Sequence, residues 1–257
     1  MLFVEAYKRA FSIIKKKPLR LWGLSLLTLV IAVFAIVLTL PVLGIVGASF
    51  IAVVYTGMSK VYLDALDEKE VNSDQLFSGF KRFWTVLGGV AWKALWIFIW
   101  AALSVAAGAV VVMLFTVIGY SFGAKALQIF SIIGAVLGYI VMAAGYVYTI
   151  YKSYSYAFVE YILMTEENVT ATQALRLSIK LTKGKMLQMF LADLVFSVGT
   201  SLVIGILAGL ALIPYVGFLF GIVAIVVYIA VLLFSGIFTG LYRAYFFKAP
   251  VPVKKIQ

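Results

Sequence analysis

Apolar residues run along this chain in six long stretches, and charged residues fall almost wholly in the gaps between them. The stretches are roughly Leu19–Leu40, Val42–Leu63, Val90–Ile118, Ala126–Tyr151, Met186–Ile213 and Tyr215–Phe238. The fourth carries a helical extension towards Met164, and the sixth continues to Phe247. Each reaches the ~20 residues that cross a bilayer as a helix. The pattern predicts an all-α polytopic membrane protein with six transmembrane helices. A β-barrel would instead give weak alternating segments of about ten residues. Pro41 and Gly44 mark a tight turn between the first two spans.

Three shorter segments lie beside the spans. In Phe3–Lys15, apolar Phe3, Ala6, Tyr7, Ala10, Phe11 and Ile14 recur at helical spacing. A second, DQLFSGFKRF, follows Ser73, read here as its N-cap. The third follows Thr170, where TATQ matches a capping box with Gln173, and Gly184 is placed to end it. Each is too short or too charged to span, so each is expected to lie in the membrane–water interface with its apolar face down.

The chain also repeats itself. YTGMSKVY at 55–62 and FTGLYRAY at 238–245 share one pattern, and YSYAFVEY at 154–161 keeps its aromatic start and terminal Tyr. Tyr62, Tyr161 and Tyr245 therefore occupy matching positions. At equal offsets beyond the first two come Asp67, Glu68, Leu76 and Lys81, then Glu166, Glu167, Leu175 and Lys180. Chance aromatic-glycine coincidence is the competing reading. The favoured one is a single transmembrane domain over residues 1–257 built from three repeats, approximately 1–71, 72–170 and 171–257. Each repeat is a hairpin of two spans preceded by an amphipathic interfacial helix. Two spans per repeat leave all three in one orientation, so the repeat is parallel, about a pseudo-threefold axis. Gly57 and Gly240 fall at equivalent points and permit close helix approach, with Thr56 and Thr239 alongside for hydrogen bonding. Gly134, Gly138 and Gly145 are expected to act similarly along the fourth span; a gating hinge is the alternative.

Composition agrees with that picture: 65% of residues are hydrophobic and only 12% charged. The net charge of +11 resides in cations before the first span, in the second-to-third and fourth-to-fifth connections, and after the sixth span. Only Lys125 lies opposite them. The positive-inside rule places both termini in the cytoplasm of a multi-pass cell-membrane protein. So distributed, the charge reads as a topology signal facing anionic lipid rather than as a nucleic-acid footprint. The expected partners are anionic lipid head groups at this basic collar and other proteins. The first apolar run starts only after Pro18 and exceeds a typical signal-peptide core, so no cleavable signal is expected.

Chemistry is sparse. With no Cys and no His, disulfides, thiolate nucleophiles, the usual zinc ligands and the commonest proton shuttle are all excluded. The turns DALDEKE and TEEN lack the spacing of a calcium loop, and TKGK lacks the glycine and hydroxyl of a phosphate loop. No catalytic activity, metal or cofactor is expected. Asp193 is the sharpest residue, about two turns inside the fifth span, where an unpaired charge costs several kcal/mol. Lys93 and Lys152 lie in comparable apolar positions, and Asp193 is expected to pair with one of them. This polar cluster is either a substrate, ion or proton site, or a structural strut; its nearness to the cytoplasmic level favours the strut. The tyrosines of the fourth span, 139, 146, 148, 151, 154, 156 and 161, read as interface anchors and core packing, or else as an aromatic-lined path for an apolar ligand.

DQLFSGFKRFW, the Trp-rich third span, YILMTEENVTATQALRLSIKLTKGKMLQMF and the IPY before the last span together resemble a known family. It comprises the bacterial and archaeal integral membrane proteins of the domain-of-unknown-function family numbered nine-seven-five. The family's A-x-x-x-S-x-x-L-x-x-G-x-K element is matched by Ala174, Ser178, Leu181, Gly184 and Lys185, with Pro214 and Tyr215 downstream. The motifs cover residues 72–257 well and the first repeat poorly. One departure is that Trp100 is followed by AALSVAAGAV, where the family usually has Pro-Gly. The resemblance implies the membrane topology and supplies no mechanism. The function expected is that of a non-catalytic scaffold, accessory or assembly factor of the membrane. The alternative is a small transporter or channel for a lipid or small solute, with a central cavity near Asp193.

Overall fold

The structure is a computed structural model, and it describes residues 2–39, 44–215 and 217–250. The expected turn at Pro41, the cations Lys254 and Lys255, and the terminal residues Met1 and Gln257 lie outside the described residues. Among those described, every regular element is a helix: α1 (Leu2–Lys16), α2 (Pro18–Thr39), α3 (Gly44–Leu66), α4 (Ser73–Leu76), α5 (Phe83–Ser121), α6 (Ala124–Ser155), α7 (Val159–Thr165), α8 (Ala171–Thr182), α9 (Met186–Leu210) and α10 (Gly217–Lys248), with a 3-10 segment at Ser78–Arg82. Six stretches, containing α2, α3, α5, α6, α9 and α10, are long and apolar enough to cross a membrane.

Local chemistry sets several boundaries. Pro18 opens α2, where its fixed φ suits a first helical turn and its missing N–H costs nothing. Thr170 and Gln173 form the expected capping box on α8: the Gln173 N–H donates to Thr170 Oγ1 at 3.3 Å, and the Thr170 N–H to Gln173 Oε1 at 3.0 Å. Gly184 follows α8 at φ 77°, a left-handed conformation that glycine adopts without strain.

Other boundaries differ from the sequence reading. Asn72, not Ser73, caps α4, its N–H donating to Gln75 Oε1 at 3.0 Å. The segment after it is one helical turn and a 3-10 stretch, which runs directly into α5. Gly79 explains the tightening, because a Cβ there would stand 3.0 Å from Val53 Cγ1 on α3. α5 accordingly begins at Phe83 rather than Val90. The fourth span breaks at 156–158 before α7, and the Phe158 N–H freed there donates to Ser178 Oγ of α8 at 3.1 Å. Tyr215, expected to open the last span, sits in the preceding turn at φ 68°.

The chain divides into two compact units, Met1–Val90 with Ala157–Gln257, and Ala91–Tyr156. In the first, α2 packs on α3, α9 on α10, and α10 also on α1 and α3. Its core lies towards one end of the long helices: Ala6, Ala10, Ile13 and Ile14 of α1, Val53–Leu66 of α3, Val159–Leu163 of α7, Met189 and Ala192 of α9, and Ile237–Phe246 of α10 supply most of it. Beyond it α9 and α10 turn Leu194, Val198, Leu202, Ile222, Ile225 and Ile229 outward, as helices bathed in lipid do.

The second unit is the far part of α5 against α6, joined through glycine. A Cβ on Gly108 would meet the Gly138 carbonyl at 2.6 Å, and one on Gly145 would meet Ser104 Cβ at 2.6 Å. Ser104 and Thr149 hydroxyls lie 3.3 Å apart across the same seam. Small residues thus let two backbones approach where lipid supplies no hydrophobic drive.

Candidate functional site

Of the residues singled out by the sequence, Lys93, Lys152 and the tyrosines from 139 to 156 belong to the second unit, and Gly57, Tyr62, Tyr161, Asp193, Gly240 and Tyr245 to the core end of the first. Gly240 of α10 is its hub. The ring of Tyr62 from α3 lies against Gly240 so closely that a Cβ there would collide with it, and its hydroxyl donates to the Gly236 carbonyl at 3.2 Å. Tyr161 of α7 donates to the Gly240 carbonyl at 2.8 Å. Gly57 of α3 abuts the backbone of Leu76 with no room for a side chain. Tyr245, on the rim, donates to Glu5 Oε2 at 3.4 Å. Thr56 does not bridge helices, since its hydroxyl donates to Ala52 of its own helix at 2.8 Å.

Asp193 pairs with Arg243, a partner the sequence reading did not name: Arg243 Nη2 donates to Asp193 Oδ2 at 3.0 Å, the side chains 23% and 34% exposed for Asp and Arg respectively. The reason is register. Asp193 lies two turns inside α9 and Arg243 just over one turn inside the neighbouring end of α10, and these helices pack together. Tyr7 of α1 lies beside Asp193, donating to the Ala192 carbonyl and meeting the rings of Phe238 and Tyr242 at 4.8 and 5.8 Å. Burial raises the Tyr7 pKa, and the charge of Asp193 raises it further. The signal for Arg243 was legible, since it is the cation within the octet FTGLYRAY.

Lys152 belongs to the second unit. Its ammonium lies over the rings of both Trp100 and Tyr148 at 5.3 Å. Trp100 meets Tyr148 edge-on at 5.1 Å and continues a ladder through Trp96 to Trp92. Lys93 lies on α5 within that ladder. Tyr139, Tyr146, Tyr148 and Tyr151 are exposed, whereas Tyr156 and Tyr161 are buried.

Three cations that the sequence reading gave no structural role turn out to be alike. Lys17, between α1 and α2, donates to the Glu68 and Lys69 carbonyls beyond the end of α3 at 3.3 and 2.6 Å. Arg82, just before α5, donates to the Leu163, Glu166 and Glu167 carbonyls at the end of α7. Lys185, just before α9, donates to the Phe246 and Ala249 carbonyls at the end of α10. Each cation precedes one long helix and satisfies the orphan carbonyls of the next helix end, where the helix dipole also favours positive charge. Lys185 is 1% exposed and lies 5.7 Å from the Phe158 ring centre, and burial pushes its pKa down. The available signal was a cation at the threshold of each odd-numbered span.

Around these clasps the acidic turn is neutralised. Glu68 takes Lys16 and Arg9 at 2.9 and 3.3 Å, and Asp67 takes Lys248 and, at 3.7 Å, Lys69. The hydrogen bond from Lys248 holds the Asp67 carboxyl below the usual carboxylate range, and that from Lys16 does the same for Glu68.

With every regular element among the described residues a helix, and six helices of membrane-crossing length and composition, the chain has the character of a multi-pass membrane protein. The sequence model of the family described as "Protein of unknown function (DUF975)" matches residues 12–233. The chain belongs to that family. The match reaches into the first 71 residues, where the motif resemblance was weak, and stops short of Arg243 and Tyr245. No curated protein and no solved structure matches the chain.

Proposed function

We propose that this protein is a non-catalytic component of the cytoplasmic membrane, a scaffold, accessory or assembly factor that meets anionic lipid and partner proteins through its basic collar. Both termini lie on the collar side in this reading, in keeping with the one-sided distribution of cations. The collar is carried by three repeats, 1–71, 72–170 and 171–257, each a hairpin led by an amphipathic helix at the interface. The recurrence of one cation clasp in each repeat supports this, as does the convergence of Tyr62 and Tyr161 on Gly240.

The observation that carries the functional reading is the Asp193–Arg243 pair. A transport site needs its intramembrane charge available to a ligand, and here the acid is matched by a base. The test compares wild type with Asp193→Asn, purified in native lipid and also reconstituted in liposomes. The same co-purifying lipids and proteins, and no solute flux that depends on Asp193, are expected. Flux abolished by Asp193→Asn would hand the molecule to the transporter reading.

A further inference from the structure

Two acidic turns that match in sequence are treated differently by the fold. Asp67 and Glu68, beyond Tyr62, are met from within the chain by Lys248, Lys69, Lys16 and Arg9. Glu166 and Glu167 stand at the same offsets beyond Tyr161. Among the described residues no ion pair holds either of them. Their backbone is nonetheless fixed at both ends. Arg82 binds the Leu163, Glu166 and Glu167 carbonyls, and the Thr170–Gln173 capping box sets the start of α8. The carboxylates are therefore displayed from a set turn and left unspent.

That turn forms one wall of a cavity of about 490 Å³, and α8 forms the other. Glu166, Glu167 and Asn168 line the first wall, and Arg176, Leu177 and Lys180 the second. Arg176 and Lys180, at i and i+4, share one face of α8. Both signs of charge thus line a single cavity without pairing across it. A polyanion would meet two carboxylates there, and a simple cation would meet a guanidinium and an ammonium. A ligand carrying both charges satisfies both walls. No aromatic ring lines the cavity to cage a quaternary ammonium. Carboxylates accept N–H bonds, which a primary ammonium donates and a trimethylammonium does not. Opposite them, a guanidinium offers a phosphate two parallel N–H bonds, with a second cation beside it.

We infer that this cavity binds a primary ammonium–phosphate group, the chemistry of an ethanolamine phosphate. Glu166 and Glu167 hold the ammonium, Arg176 and Lys180 hold the phosphate, and Leu177 carries the short carbon link between them. Two sources present this group, a phospholipid head group and a soluble phosphomonoester. The site goes beyond the collar reading, in which cations alone meet anionic lipid.

The test uses the purified full chain in detergent micelles, with retained lipid counted by native mass spectrometry. Phosphatidylethanolamine is expected to be held about tenfold or more tightly than phosphatidylcholine, the ratio that one hydrogen bond between charged groups supplies. Glu166→Gln/Glu167→Gln should bring the two lipids to parity. Arg176→Gln/Lys180→Gln should weaken both alike and keep the ratio, a split that misfolding would not produce. No preference in the parent, or a preference undiminished by Glu166→Gln/Glu167→Gln, overturns the site. Free phosphoethanolamine separates the sources: displacement of the lipid at equal concentration assigns the cavity to the soluble ligand, and failure to displace it assigns the lipid head group. Phosphatidylglycerol reads the collar independently. Its retention should survive Glu166→Gln/Glu167→Gln, and its absence in the parent would sink the collar reading while the ethanolamine-to-choline ratio stood.

Discussion

Gly240 leaves no room for a methyl group, because Tyr62 already occupies the space. Gly240→Ala is expected to cost about 1–3 kcal/mol, as overpacked cores do, read by thermal unfolding in detergent. Tyr62→Ala in the same chain should recover part of that loss, giving a non-additive cycle between the two positions; simple additivity would place the strain elsewhere. The repeated octet, visible without coordinates, singled out Tyr62, Tyr161 and Gly240, which meet, and Gly57, which lies against Leu76 instead. Arg243 as a partner of Asp193 was missed for a definite reason. An alignment of equivalent spans compares residues in different repeats, whereas Asp193 and Arg243 meet across consecutive helices. Counting turns from the helix ends would have found Arg243.

At the scale of the elements, the clasps explain how helices this apolar end in water without loose ends. Lys185 gives the most direct test. Burial lowers its pKa in the folded protein, so in the window between that value and the ordinary lysine value the unfolded chain binds more protons. Stability should therefore rise with pH across that window and level off above it. Lys185→Met is expected to abolish the rise and, by orphaning the Phe246 carbonyl, to cost about 1–3 kcal/mol near neutral pH. Unfolding temperatures measured from pH 7 to the alkaline limit check both. The existence of the long helices was plain from composition, but their ends were not. α4 was overextended because the pattern in DQLFSGFKRF cannot reveal that Gly79 must nestle against Val53. The break before α7 was hidden because the hydroxyl that stabilises it, Ser178, comes from another helix.

At the scale of the whole molecule, the chain's complete lack of cysteine makes the topology directly testable. Lys69→Cys and Lys183→Cys each introduce a unique thiol at an exposed turn. A membrane-impermeant maleimide is expected to label both from the same face of sealed vesicles. Labelling from opposite faces would break the topology on which the proposed function stands. Six spans and a helical fold were legible because lipid imposes a length and a composition on anything that crosses it. The division into two units was not, since α5 and α6 read as uniform apolar stretches and only the glycine seam distinguishes Ala91–Tyr156.

The clasps of Lys17, Arg82 and Lys185 have a consequence for how the protein is made. Each joins the threshold of one pair of long helices to the close of that same pair, so the latch is complete as soon as the second helix of the pair has left the ribosome. Insertion can then proceed stepwise, each newly threaded pair sealing its own carbonyl ends before the next arrives. The contacts of Tyr62 and Tyr161 onto Gly240 wait for the last segment to be synthesised.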